Sequence, residues 1–561
     1  MAIVQKTPRS VKHTVLISFL ITAFAGCTSI QSQAEIVNNS DTSQAAPFTN
    51  GLSPEVVPLI ESVSIRLPDI AEDTINNVQF REEGTISWQD AYNLLWDPKS
   101  QQFTGNIVYL DADTAYEVKI HVENAVDAYE EVFQFRTRTN TPPIDPQKVY
   151  YLSDIYSGGV LDLEALNIEG SEGAWAKIVG DANHPVEVGL DDKFAVDIGN
   201  NSYVYFENIT VKGGLIHAIK AKDAHHIWIN GCDVSGYGRP ANFIRDGKAY
   251  YSEDDTQPIN YDSGIYFSTS GVVTIENCAI HSPRMGANSW GAGHPMGPNA
   301  MLIYANHREE RYRGQYIIRN NRFYGSPEKR FNDVIESRVN GRVYGGFIRD
   351  SAVYNNYFAY ANDDIIELDG GQNNVLFYDN EIEQAYCGIS AAPNLGGNSF
   401  IFNNYIHNLG DERGKAWGAV KVGGYKEGQS GRVNIFNNLI VTSSNGIAKA
   451  GFNGSSEFLV AAKDNIMIHD VQWSNMGYGI YDTSQLTSTV YNNNYIFNSE
   501  TDRPEYVAAE VEDFKYYQDL NSTLADEISN AGSYFLLPGE HQGNNNLSKS
   551  IDGKLAVGKT E

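Results

Sequence analysis

The chain has 561 residues, too many for one small hydrophobic core, which leaves several domains or one elongated repeat domain with appendages. Its formal net charge of −29 argues against the basic footprint of a nucleic-acid binder and names no ligand by itself. Aromatic residues make up 12%, with 34 tyrosines beside abundant Asn and Gly, a balance that disfavours long helices and suits short strands joined by many turns in an all-β chain.

Lys6, Arg9 and Lys12 precede an apolar run from Val15 to Ala25, the charged region and short apolar region of a secretion signal, too short for a good spanning helix. Phe24-Ala25-Gly26-Cys27 resembles a bacterial lipoprotein processing box, with Phe24 where Leu is usual. The resemblance implies a signal peptide over 1–27, cleavage before Cys27 and lipidation of its thiol. With no aspartate just after Cys27 it implies an outer-membrane lipoprotein of the bacterial cell envelope, the alternative being a secreted protein. Residues 28–55 are rich in Ser, Gln, Asn, Thr and Ala, cannot bury a core, and read as a flexible linker.

Residues 56–143 show short alternating strands at 63–67, 105–110, 116–120 and 132–137, which predict a small β-sandwich. Leu110, Thr114, Tyr116 and Val118 resemble the signature of a fibronectin type III sandwich, whose tyrosine ties a corner to the backbone. Its expected role is a spacer or accessory module. Thr141-Pro142-Pro143 closes it, since consecutive prolines continue neither a ladder nor a helix.

From 149 to 498 an apolar stretch closing on an Asn pair recurs at intervals of roughly 22 to 45 residues, a solenoid period. The pairs are Asn320-Asn321, Asn355-Asn356, Asn403-Asn404, Asn437-Asn438 and Asn492-Asn493. Stacked coils would place these asparagines in a hydrogen-bonded ladder at a tight turn. The pattern resembles the right-handed parallel β-helix of pectate lyases, polygalacturonases and related polysaccharide enzymes. Cys232 and Cys278 align with the ladder column and read as buried turn residues, with a disulfide between neighbouring coils as the alternative. Beyond 498 the repeat is lost; 499–561 is expected to be a C-terminal cap and tail, weakly helical over 505–518.

A second strand in each coil can be aligned on its inward apolar residue. Reading down the outward positions gives Lys220, Tyr266, Glu336, Glu367, Ser390 and Lys421, and beside them Lys222, Ser268, Arg338, Asp369, Ala392 and Gly423. The coil at 300–304 leaves either Tyr304 or Ile303 outside. Alternation places Ile366 and Leu368 inside and sends Glu367 and Asp369 into solvent, one coil from Glu336. Like charges so close should push at least one pKa up, with Arg338 and Lys421 holding others ionised. Long loops at 236–262, 282–299, 324–332 and 410–417 are expected to wall the site. They carry Tyr250, Tyr251, Trp290, His294 and Trp417 for stacking on sugars, and Arg284 and Arg330 for anionic groups.

Asp363-Asp364 resembles the adjacent acid pair of polygalacturonases, although their companion motifs are not found. Glu367-x-Asp369 resembles the acid and base pair of iota-carrageenases, which implies Glu367 as general acid and Asp369 as base. These readings lead to a glycoside hydrolase that inverts configuration on an anionic, sulfated polysaccharide without a cofactor, with Glu336, Glu367 and Asp369 catalytic. Substrate contacts are expected from Lys220, Lys222, Tyr266, Arg284, Trp290, His294, Arg338, Asp364 and Lys421. The alternative resembles calcium-dependent chondroitinases and alginate lyases: Glu336, Glu367 and Asp369 would hold Ca²⁺ against a uronate, and Lys421 or Arg338 would take the C5 proton. A third is a non-catalytic glycan-binding surface lipoprotein. All three expect a monomer that binds polysaccharide, not nucleic acid, and meets the membrane only through its lipid.

Overall fold

Alternating apolar and polar side chains over residues 55–136 form two four-stranded antiparallel sheets in the computed structural model. The structure describes residues 48, 51–293, 296–424, 430–450, 458–469, 478–482, 484, 489–492, 494–498 and 515–517. The signal segment with Cys27, most of the 28–55 linker and nearly all of 499–561 lie outside the described residues. One sheet orders Glu55–Pro58, Ser62–Leu67, Gln102–Val108 and Leu95–Asp97; the other orders Gln89–Asp90, Ile75–Glu82, Ala115–Glu123 and Ala128–Arg136. Val63, Ile65, Val118 and Ile120 are buried in the apolar cluster of this unit. The Tyr116 hydroxyl accepts a 2.8 Å hydrogen bond from the Asp111 N–H.

From Ile144, directly after Pro142-Pro143, the chain winds into a parallel β-helix of three sheets, and each coil adds a parallel strand to each. The Asn pairs make its tightest turn. Asn320, Asn355, Asn403 and Asn437 take left-handed backbone, with φ between 54° and 57°, which Asn tolerates better than most residues. The asparagine after each points inward. Asn356 Nδ2 donates to Ile318 O, Tyr354 O and Asn380 Oδ1 at 2.9 to 3.0 Å, and its backbone N–H donates to the same Asn380 oxygen. Asn321, Asn356, Asn380, Asn404, Asn438, Asn465 and Asn494 continue this ladder. The last rung is Asn494 and not the 492–493 pair, because Asn492 still belongs to the strand Thr489–Asn492. At the other end Cys278 N–H donates to Asn321 Oδ1, and Cys278 is disulfide-bonded to Cys232 in the next coil. The two are therefore a bridge and not stacked thiols, with Cα atoms 4.4 Å apart in adjacent coils. Asn380→Ala removes the bonds that the buried Asn356 N–H and the Val353 carbonyl make to Asn380, and one of the three acceptors of Asn356 Nδ2. It should lower stability by about 2 to 4 kcal/mol in chemical denaturation, since each buried group left unsatisfied costs about 1 to 3 kcal/mol.

The sandwich packs directly against the helix. In-register stacking places Tyr354, Tyr378, Phe402 and Phe436 in a column with ring centroids 4.8 to 4.9 Å apart on the outer face of one sheet. Leu59 and Ile60 of the sandwich are buried with this column, and Arg319 of the helix pairs with Glu61 at 3.0 Å and Glu276 at 2.7 Å. A continuous aromatic face costs free energy in water, so a second layer over it is stabilising. Lys515–Tyr517, within the span expected to be helical, is a strand paired with Tyr495–Asn498. The open strand edge of the last coil takes up another strand in preference to a helical turn. Among the described residues, no helix is long and apolar enough to cross a membrane.

Candidate active site

One of the three sheets carries the acidic residues. Its strands His217–Lys222, Ser263–Ser268, Asn299–Tyr304, Ile335–Ser337, Asp364–Glu367, Cys387–Ala391 and Gly418–Val422 are neighbours in that order. Ile366, Leu368, Ile335 and Ile389 point into the core. The register aligns Lys220, Tyr266, Leu302, Glu336, Glu367, Ser390 and Lys421 in one outward column. In the coil at 300–304, Ile303 is inside, which leaves Tyr304 outside. The second column differs from the sequence reading at one place. Tyr304 pairs with Gly346, because the chain leaves the sheet at Arg338 and returns only after an excursion over 338–346.

The carboxylates do not project into solvent. Asp333 and Asp369 retain 3% exposure, Glu336 4% and Glu367 8%. Alternation identifies the face a residue occupies, but whether that face is wet depends on the loops above it. Ser289 Oγ and Trp290 N donate to Glu412 Oε1 at 2.9 and 2.6 Å, and Asn362 Nδ2 reaches Asn288 Oδ1 and Glu412 Oε2, so two of the expected wall loops latch together. The 338–346 excursion, not foreseen, folds over Gly370-Gly371. A Cβ at Gly371 would lie 2.1 Å from the Val343 carbonyl oxygen, so this approach requires glycine.

Burial and mutual repulsion set the protonation states. Burial, then the Asp369 and Asp333 carboxylates, hold Glu367 well above the usual carboxylate range. Glu336 is raised similarly, by burial and then by Glu367 and Asp333. Glu336 and Glu367 each disfavour the other's charge, and Asp369 and Asp333 add to the rise at Glu367. Burial pushes Asp369 up to about 7 against the pull of Lys421, and Asp333 up to about 6 against a hydrogen bond with Glu336. At neutral pH the cluster therefore combines protonated glutamic acids with an Asp369 near half-ionisation and an Asp333 that is mostly ionised. Each group is fixed in place. Ser337 N–H and Asn340 Nδ2 donate to Glu367 at 3.1 to 3.3 Å. Ser390 Oγ and the Ala392 N–H donate to Asp369 at 3.0 and 2.7 Å, and the Asp364 N–H donates to Asp333 at 2.8 Å.

Several expected substrate contacts are otherwise engaged. Asp364 and Lys421 form a buried ion pair, with side chains 2% and 16% exposed, because each charge in this low-dielectric layer needs a partner. Although burial opposes its charge, Lys421 is held well above the usual lysine range by Asp364 and its neighbours. Lys220 pairs with Asp197 at 3.0 Å, and three strand spacings, about 14 Å, separate it from Glu336. Lys222 is exposed further along the same strand, and Tyr266 lies against His217. Arg284 donates to the Gly238 carbonyl, and Arg330 spends its guanidinium on the carbonyls of Ala361, Gln384 and Gly410. Trp290 lies at the site's edge beneath Arg413, 3.9 Å from its ring centre, with Tyr386 nearby. His294 lies outside the described residues.

Asp333 was not assigned from sequence, yet its oxygen lies within 4.8 Å of oxygens of Glu336 and Glu367. A signal existed: Asp-x-x-Glu occurs at both Asp333 to Glu336 and Asp364 to Glu367, in adjacent coils. Asn340 and Tyr261 were also missed, since both sit on loops that no periodicity places.

No family model matches the chain, and no curated protein matches its sequence. Among solved structures, it is similar to an exopolygalacturonase from Thermotoga maritima, at 12% identity, covering 68% of this chain and 94% of that one with a TM-score of 0.39. A GH87 α-1,3-glucanase from Streptomyces thermodiastaticus is matched at 10% identity over 83% and 88%, TM-score 0.35. A periplasmic alginate epimerase is matched at 14% identity over 70% and 74%, TM-score 0.28.

Proposed function

We propose that this protein is a glycoside hydrolase that cleaves a polysaccharide with inversion, with Glu367 as general acid and Asp369 as general base. The observation that carries the reading is the split in protonation between two carboxyl groups two residues apart: Glu367 is held protonated, and Asp369 is poised near 7. Glu367 gives its proton to the glycosidic oxygen as the bond to the anomeric carbon breaks. Asp369 takes a proton from water, whose oxygen joins that carbon from the opposite face. The donors from Ser337 and Asn340 stabilise the carboxylate left on Glu367. The backbone spacing of alternate residues in an extended segment, about 6.6 to 7 Å, lies at the low edge of the carboxyl separation of about 6.5 to 9.5 Å that inversion uses. The reading also makes the protein an envelope lipoprotein anchored at Cys27, and a free Cys27 thiol in the mass spectrum of the mature N-terminal peptide would sink that part.

Incubation with a panel of plant and marine polysaccharides should release reducing ends of inverted anomeric configuration, read by NMR, with no absorbance from unsaturated uronate. Retained configuration, or no cleavage of any polysaccharide, would overturn the assignment. Asp333→Asn should move the alkaline limb of the pH–rate profile to lower pH, because it removes a charge that raises Glu367; an unmoved limb would contradict that coupling.

One observation favours a second reading, a calcium-dependent lyase. The oxygens of Asp333, Glu336 and Glu367 lie within 4.8 Å of one another, and ligand oxygens at 2.3 to 2.6 Å from a common Ca²⁺ fit that spread. The set replaces Asp369, named from sequence, with Asp333. When bound, the cation would supply charge neutralisation at a uronate carboxylate. Lys421 cannot serve as its base while Asp364 holds it charged. Chelation should leave a hydrolase active. Loss of turnover on chelation, restored by Ca²⁺ and accompanied by unsaturated products, selects the lyase.

A further inference from the structure

Arg338 stands at the carboxylate cluster with its donors unused. It is the first residue past the strand Ile335–Ser337, and its guanidinium carbon lies 4.2 Å from the centre of the Tyr261 ring. Among the described residues it has no hydrogen-bond acceptor and no ion-pair partner for its side chain. Other arginines near this face are occupied: Arg239 forks onto Asp262, Arg330 binds three carbonyls, and Arg413 pairs with Asp411. Tyr261 belongs to the same site. Its phenol is raised by burial and then by Glu336, with Glu367 and Asp333 contributing and Arg338 opposing.

A guanidinium offers five N–H donors in one plane, and stacking on an aromatic ring limits the rotamer freedom lost when it binds. The matching ligand is an oxyanion, which two parallel N–H groups grip together. The chain's net charge of −29 provides no long-range attraction for a polyanion, so selection for one has to come from a local contact.

We infer that Arg338, positioned by Tyr261, is the subsite for an oxyanion substituent, a sulfate ester or a uronate carboxylate, on the sugar bound beside Glu367. The inference rests on the polysaccharide reading and adds to it the charge of the substrate.

Equilibrium binding to the Glu367→Gln protein tests the subsite without requiring cleavage. The probes are two matched pairs: sulfated galactan oligosaccharides with their desulfated forms, and oligogalacturonates with their carboxyl-reduced forms. In at least one pair the charged member should bind about 10- to 150-fold more tightly, the range of charge-assisted hydrogen bonds. The pair that shows the preference tells sulfate from carboxylate. Adding Arg338→Met should abolish the preference, leave the uncharged member's affinity unchanged and keep the melting temperature. Arg338→Lys should restore part of it, and Tyr261→Phe should preserve it while Tyr261→Ala weakens it. No preference in either pair, or an equal loss for charged and uncharged members in Arg338→Met, overturns the subsite. Failure of the unsubstituted protein to cleave any polysaccharide bears on the hydrolase reading alone.

Discussion

Glu367→Gln is expected to lose about 10²- to 10⁴-fold in kcat, the usual contribution of a general acid, with its fold intact. Gln is isosteric, keeps an oxygen to accept from the Ser337 N–H, and removes only the transferable proton. Asp369→Asn should lose a similar factor by removing the base, while Ser390 Oγ and the Ala392 N–H still have an oxygen to bind. Steady-state rates at the pH optimum, with melting curves as the control for folding, decide the matter. Glu367→Gln activity within tenfold of the unsubstituted protein would refute the acid assignment. Near-normal Asp369→Asn activity would move the base to Asp333, the other aspartate poised close to neutrality.

The largest stability effect should come from Lys421→Met. It leaves Asp364, 2% exposed, without its cation in a layer already crowded by Asp363, Glu367 and Asp369. Removing one partner of a buried pair costs about 3 to 5 kcal/mol, while replacing both partners by apolar side chains is often neutral. The double variant Lys421→Met/Asp364→Leu should therefore recover most of the lost stability. Equal destabilisation in the single and double variants would show that the pair is not what the site depends on. A full loss of activity in the refolded double variant would give Asp364 or Lys421 a direct role that their burial argues against.

The acidic cluster also ties stability to pH. Glu336, Glu367, Asp333 and Asp369 all have raised pKa values in the folded chain, against about 3.9 for Asp and 4.3 for Glu when unfolded. The folded state therefore binds more protons, and the contribution is full below the unfolded values and lost as pH rises through about 6 for Asp333, about 7 for Asp369 and beyond. Melting temperature should fall from pH 5 to pH 8, and Glu336→Gln should flatten the decline. A melting temperature that rises over this interval would contradict the raised values.

Local periodicity was enough for the repeat, the Asn turns and the facing of Glu367 and Leu368, because a two-residue period and a left-handed Asn are properties of a few consecutive residues. It was also enough for the column that places Glu336 beside Glu367, since in-register coils convert sequence alignment into contact. Three matters depended on contacts between distant segments. Whether Glu367 meets water was decided by loops latched through Glu412 and by the 338–346 excursion over Gly370-Gly371. Which charges cancel was decided by Lys421 reaching Asp364 two coils away, and by Lys220 reaching Asp197. Where the sandwich packs was decided by the aromatic column it covers. The sequence by itself determined the coil, the turn and the outward column, all set by side-chain alternation and backbone preference within one strand and turn. Only the tertiary structure decided burial, ion pairing and the protonation of the carboxylates, because desolvation and Coulomb energies depend on what surrounds a group in space.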